Sequence, residues 1–300
     1  MTKKNHSLAI RTSVLLPALI LAGILLLPAA GSAKWGKVLD KIKTKATQGA
    51  REMNINFTPE QERYIGRAVA ANVIQQYGIY KDDRDLKKYV NLVGTWVANF
   101  SDRPDIPYHF EILDSDEINA YAAPAGYIFI TVGMLRALGN EAELAGVLAH
   151  EVSHVARNHG MNLIKDEYRK KYMTKTAVET GAELSGASPE LVARFSALTD
   201  TLTKTLLVNG YSRELEYEAD RYGTETAAAA GYDPRGIRLF LETLAAQESG
   251  PRTGKLEKMK KTHPTAKARI EKLDEEFGEE PAGDRKDLQD RFLKRTAAIR

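Results

Sequence analysis

The stretch VLAHEVSHVARNHG, residues 147–160, sets His150 and His154 four positions apart with Glu151 directly after the first. Around it Leu144, Val147, Leu148, Val152 and Val155 recur at helical spacing, Asn140 and Glu143 form a capping-box pair, and Gly160 stands where a C-terminal cap belongs. The spacing predicts one helix from about residue 141 to residue 160. On such a helix both imidazoles share a face and can reach one metal ion, while Glu151, one step round, can reach a water without being a ligand. That suits a zinc hydrolase, in which the ion polarises the scissile carbonyl and lowers the pKa of water towards about 7, and a carboxylate carries the proton. The pattern is short, and two ordinary histidines on a partly buried helix remain an equal reading on this evidence alone.

A catalytic zinc usually takes three protein ligands. The extended pattern, with a glycine three residues and a histidine six residues after the second histidine, is excluded because Arg157 and Gly160 occupy those positions. His159, on one continuous helix, points away from the His150/His154 face and reads as a capping or surface residue. A later helix offers a carboxylate instead. YSRELEYEADRYG, residues 211–223, places Glu216 and Asp220 four apart on one face, where the first can ligate and the second can hydrogen-bond a ligating histidine. Glu214 and Glu218 lie on other faces and read as solvated. Spacing alone leaves the choice among these glutamates open.

Outward from the two helices, the rest of the chain reads as mixed α and β. FTPEQERYIGRAVAANVIQQYG, residues 57–78, predicts a helix with Thr58 as N-cap, Pro59 in the first turn and Gln61 completing a capping box. A second helix is expected from about Asp85 to Phe100. Residues 108–113 and 127–132 read as strands, separated by a turn-like DSDEINAYAAPAG at 114–126. A helix is expected from Ser212 to Ala230. From residue 276 the chain reads as a charged C-terminal tail with a polar linker and a short helix.

The first 33 residues have the form of an export signal: Lys3, Lys4 and Arg11, an apolar run from Val14 to Leu27, and small residues up to Ala33. The run is short of the roughly 20 residues a spanning helix needs, so cleavage after Ala33 is expected, with an uncleaved anchor as the alternative. The expected organisation is a signal over 1–33, an N-terminal segment over 34–57, a catalytic domain over 58–275 and the tail over 276–300. Without the signal, 40 basic residues face 40 acidic ones, which excludes a nucleic-acid footprint. The chain has no cysteine, so neither disulfides nor a lipidated cysteine are available to it.

Three ordered blocks, NAYAAPAGYIFITVGML (119–135), LAHEVSHVARNHG (148–160) and SRELEYEADRYG (212–223), with THPTAKARI (262–270) as a weaker fourth, resemble the HtpX, BepA and LoiP group of zinc metallopeptidases, relatives of the CAAX prenyl protease. The resemblance implies an α+β zincin of the gluzincin type: a helical bundle around a small antiparallel sheet, without a repeat domain. It implies one Zn2+ per chain held by His150, His154 and Glu216, with Glu151 as general base and Asp220 behind the ligands. It implies that Gly126, Tyr127, Ile128, Phe129 and Ile130 form an exposed edge where an extended substrate pairs, against the alternative of an ordinary core strand. His263, before Pro264, is by the same resemblance a regulatory zinc ligand that holds the enzyme latent, or else a loop histidine with a structural hydrogen bond. Tyr211 and Arg213, near Glu216, are candidates for stabilising the oxyanion. The implied activity is endoproteolysis of unfolded or misassembled proteins in the bacterial periplasm, with peripheral contact to the envelope membrane and secretion as further options. The competing reading is a latent-site chaperone or outer-membrane assembly factor acting by binding; a third is zinc used only for folding.

Overall fold

The computed structural model describes residues 57–173, 189–248, 257–278 and 286–300. The expected signal and nearly all of the N-terminal segment lie outside the described residues. Asn56–Arg300 forms one compact unit. Among the described residues, no helix is long and apolar enough to cross a membrane.

Helix α1, Pro59–Tyr77, starts as expected: the Thr58 hydroxyl accepts from the Gln61 amide and the Gln61 side chain accepts from the Thr58 amide. Helix α2, Arg84–Ala98, is capped by Asp83 and buries Leu86, Tyr89, Val90, Val93 and Val97 on one face. The chain then builds a three-stranded sheet from β1 (His109–Leu113), β2 (Ala120–Ala123) and β3 (Tyr127–Thr131) in the order β1-β3-β2. β1 runs parallel to β3, with Phe110 opposite Ile128, and β2 runs antiparallel to it, with Tyr121 opposite Phe129.

Two expectations are corrected here. The sheet is mixed, not antiparallel, and the stretch read as a turn contains β2 followed by a one-turn 3-10 segment at Pro124–Gly126. In consequence β3 is the central strand, hydrogen-bonded on both sides, so Gly126–Ile130 is not an exposed edge. The physical reason is two-sided burial. Ile128 and Ile130 join Phe110, Ile112, Ala120 and Ala122 in a core with α2, whereas Phe129 joins Leu113, Tyr121 and Ala123 in a second core with Ile65, Val69 and Val73 of α1. A strand apolar on both faces belongs inside a sheet.

After a short helix α3, Val132–Ala137, comes α4, Glu141–Ala156, every residue of which is buried. Helix α4 is the central helix of this unit, in line with the expected bundle around a sheet. It ends earlier than expected. Arg157 is its C-cap and Asn158 adopts a left-handed φ of 59°, so the chain turns and starts α5, His159–Met173. Gly160 therefore lies inside α5 and is not a cap. Helix α6, Pro189–Lys204, continues into a π-helical turn at Thr205–Asn209. Helix α7, Arg213–Ala229, is capped by Ser212 and lies against α4; α8, Gly236–Glu248, crosses α4 nearer its start. The chain closes with α9 (Glu257–Thr262), α10 (Ala266–Phe277) and α11 (Lys286–Thr296).

Candidate active site

Helix α4 supplies His150, Glu151 and His154, and α7 supplies Glu216 and Asp220. The two helices can approach because Gly223 sits where they cross. A Cβ added there would lie 2.9 Å from the His150 amide nitrogen, so a side chain at this position would push α7 away. Glu216, Asp220 and Gly223 follow at i, i+4 and i+7, and the face that touches α4 is the face that carries the carboxylates.

The His150 and His154 Nε2 atoms are 3.1 Å apart, Glu216 Oε2 is 3.6 Å from the first, and Glu216 Oε1 is 3.7 Å from the second. Zinc ligands about 2.0–2.1 Å from a tetrahedral ion are separated by roughly 3.3 Å, so these three donors surround a space of the right size. Glu216 is fully buried and its Oε1 has no hydrogen-bond partner. A buried carboxylate oxygen without a donor is costly unless a cation takes its place. The donor set also attracts positive charge. Burial works against a proton on His150, yet the Asp220 and Glu216 carboxylates outweigh it and push the imidazole up to about 9. Burial, and then the neighbouring His150, hold His154 well below the ordinary range. His150, His154 and Glu216 are thus a donor set that fits zinc.

Behind His150, Asp220 Oδ1 lies 2.9 Å from Nδ1, which leaves Nε2 turned towards the shared space. Asp220 is held in turn by the buried Arg269 of α10, through Nε at 2.8 Å and a shorter contact from Nη2. Glu151 is 4 % exposed, and burial pushes its carboxyl above the usual range, towards a group that can take and return a proton.

Sequence comparison agrees with this geometry. The profile of Peptidase family M48 matches residues 84–277. The chain belongs to peptidase family M48. This family is zinc-dependent. The chain is 34% identical over 167 residues to the beta-barrel assembly-enhancing protease of Escherichia coli (strain K12), which covers 55% of this chain and 34% of the relative. It is 28% identical over 220 residues to the mitochondrial metalloendopeptidase OMA1 of Schizosaccharomyces pombe, covering 71% and 60%, and 29% identical over 171 residues to the mitochondrial OMA1 of Bos taurus, covering 57% and 32%. The chain thus spans about a third of the length of the beta-barrel assembly-enhancing protease it matches.

Within the M48 domain the remaining expected residues fall in different places. His263 of the loop between α9 and α10 lies with Nδ1 2.5 Å from Glu216 Oε2, at the rim of the donor set. Tyr211 stacks face to face on His154, with ring centroids 4.4 Å apart, and burial raises its hydroxyl pKa. Arg213 is exposed on the first turn of α7. His159, read as a surface residue, is 2 % exposed and its Nδ1 is 2.8 Å from His154 Nδ1. The turn at Asn158 swings it back towards the site, which a single straight helix would not. Glu218, read as solvated, accepts from Arg157 Nε at 3.0 Å and faces His159. Arg269 is the functional residue that sequence reasoning missed. It lay inside the quoted THPTAKARI block, but nothing in a lone arginine on an amphipathic helix announces a buried partner 49 residues upstream.

Proposed function

We propose that this chain is a zinc-dependent endopeptidase that hydrolyses peptide bonds of unfolded or misassembled envelope proteins in the bacterial periplasm. The observation that carries the reading is the convergence of His150, His154 and Glu216 around one space, with the buried Glu151 beside them, in a chain of the M48 family. Zinc, when bound, supplies Lewis-acid polarisation of the scissile carbonyl and acidifies the attacking water. His150, His154 and Glu216 would hold the ion. Glu151 takes the proton of the water and delivers it to the leaving amine. Asp220 and Arg269 fix the orientation of His150. The substrate class is supported by the relatives named for beta-barrel assembly, and the compartment by the signal-like residues 1–33.

Substrate pairing belongs on β2 in this reading. It is the outer strand of the sheet on this side, its four residues are buried, and two small recesses flank it, so pairing there requires what covers the strand to move aside. One is lined by Asn119, Ala120, Glu151 and His263, the other by Ala122, Ala123, His154 and Tyr211. An extended chain added there would run past Glu151, and strand addition reads backbone more than side chain. Broad sequence tolerance follows, and a single cleavable motif in substrate profiling would count against it.

A second reading, a latent site in a protein that acts mainly by binding, is favoured by one observation. His150, Glu151, His154 and Glu216 are all buried and His263 leans on Glu216. Casein hydrolysis by the chain from Lys34 onward, zinc-loaded and beside Glu151→Gln and His263→Ala, separates the two. Activity lost in the first variant and raised in the second marks a peptidase with a histidine latch. Inactivity in all three, with zinc bound, points to an assembly factor or to an unusually narrow protease. Zinc used only for folding would leave the cellular role indifferent to Glu151→Gln.

A further inference from the structure

The two histidines of the donor set are supported differently. His150 leans on a carboxylate, Asp220, at 2.9 Å. His154 leans on another imidazole: its Nδ1 is 2.8 Å from His159 Nδ1, and the rings meet edge to face with centroids 4.9 Å apart. His159 Nε2, on the far side of that ring, is buried without a hydrogen-bond partner and lies 3.7 Å from Glu218 Oε2. The other oxygen of Glu218 accepts from Arg157, which also reaches Asp102. Tyr211 closes the opposite side by stacking on His154 and meeting His159 edge-on.

Proton placement follows from these contacts. A neutral imidazole that offers Nε2 to a metal carries its hydrogen on Nδ1. For His154 that hydrogen points at His159 Nδ1, which must accept it. His159 then carries its own hydrogen on Nε2, facing Glu218. Two imidazoles with facing Nδ1 atoms at this distance cannot both accept or both donate, so the His159 tautomer and the His154 tautomer are set together. A metal-ligating histidine normally donates its other nitrogen to a carboxylate, a carbonyl or water, and removing such a partner costs about 10–100-fold in metal affinity.

We propose that His159, with the Glu218 carboxylate facing it at 3.7 Å, is a positioning residue that holds His154 in its metal-binding tautomer and rotamer. The inference rests on the reading of His150, His154 and Glu216 as zinc ligands. The left-handed Asn158 is what makes it possible, because it lets a residue five positions after His154 return to the same imidazole. An inert buried His159 would need only its shape.

The test is zinc affinity by chelator competition on the full chain, together with the visible spectrum of the cobalt-substituted protein. His159→Phe keeps a flat ring but has no acceptor; His159→Asn keeps an acceptor near the Nδ1 position. The expected result is a loss of about 10–100-fold in zinc affinity for His159→Phe, with an altered cobalt spectrum, and recovery to within a few-fold of the parent for His159→Asn. Glu218→Ala is expected to weaken zinc in the same direction by a smaller factor. Equal affinity in the parent and His159→Phe would overturn the proposal, as would a folded His159→Asn as weak as the Phe variant. Should His159→Phe fail to fold by circular dichroism, the His159→Asn and Glu218→Ala pair decides: parent-like binding in both overturns the proposal, and loss only in Glu218→Ala supports it. His150→Ala separates the two levels. If it leaves zinc affinity intact, the metal-site reading itself fails; if it abolishes binding while His159→Phe does not weaken it, only the present inference fails.

Discussion

Glu151 and Arg269 line one recess beside His150 and do different things. Glu151 is buried with no ion pair among the described residues, and its carboxyl is pushed up by that burial. Glu151→Gln keeps the shape and removes the base, so hydrolysis is expected to fall roughly 10²–10⁴-fold, while zinc stoichiometry, measured by metal analysis of the purified variant, stays at one per chain. Arg269 is 3 % exposed and bonds both oxygens of Asp220. Arg269→Met strands a buried carboxylate, and breaking a buried pair in this way costs about 3–5 kcal/mol. Denaturant unfolding should show that loss, and zinc affinity should drop with it because Asp220 no longer fixes His150. Unchanged stability would mean that Asp220 finds another donor. These two residues also mark the limits of the sequence. The ligand spacing His150/His154 and Glu216/Asp220 is a local helical regularity and was legible. The Arg269–Asp220 pair joins helices far apart in the chain, and no local periodicity encodes it.

At the scale of elements, the decisive contact is the crossing of α4 and α7. Helix propensity and caps explain why each helix forms, and Asn140 and Thr58 were readable as N-caps from sequence, whereas the cap role of Ser212 comes from the structure. What the pattern did not reveal is how closely the helices meet. Gly223 against His150 sets that approach, and Gly236, with an added Cβ 2.0 Å from the Ala142 carbonyl, does the same where α8 meets α4. Gly223→Val is expected to overpack the crossing, with a loss of about 1–3 kcal/mol, and to move Glu216 away from the histidines. Calorimetry and chelator competition should therefore report lower Tm and weaker zinc together; a fall in Tm with unchanged zinc affinity would show that the ligands do not depend on the crossing. The sheet was misread for a related reason. Ala120–Ala123 is three alanines around Tyr121 and sits before Pro124 and Gly126, so it resembles a turn, yet its alanines let α4 pack directly against the strand. Propensity scores a strand by β-branched and aromatic content, whereas this strand is kept by its neighbours. The break at Asn158 escaped for the same reason, since the apolar rhythm on either side is continuous and only the left-handed φ divides it.

For the whole molecule, the question is how a charged C-terminal stretch takes part in a fold whose family profile ends at residue 277. Helix α11 packs against α2 and α4 through Leu288, the fully buried Phe292 and Thr296, with Ile299 following it into the core. Its Arg291 pairs with Glu141, the first residue of α4, which also accepts from the Tyr89 and Tyr232 hydroxyls. The terminal Arg300 donates to the Leu138 carbonyl at 2.7 Å just before α4 begins. The start of the central helix is thereby clamped from the end of the chain, nine residues and roughly 14 Å along the helix from His150. Phe292→Ala removes a large ring from this clamp and leaves a cavity beside Tyr89, a change that costs about 3–5 kcal/mol. For a domain of this size that corresponds to a fall in Tm of roughly 6–20 °C. The charged partners are left untouched and the ligands are distant, so zinc affinity at a temperature where the variant is folded is expected to stay within a few-fold of the parent. A single cooperative transition at the lower Tm would make α11 part of the catalytic unit. An unshifted Tm would mean that α11 docks without supporting α4, and that residues 57–278 hold the site alone.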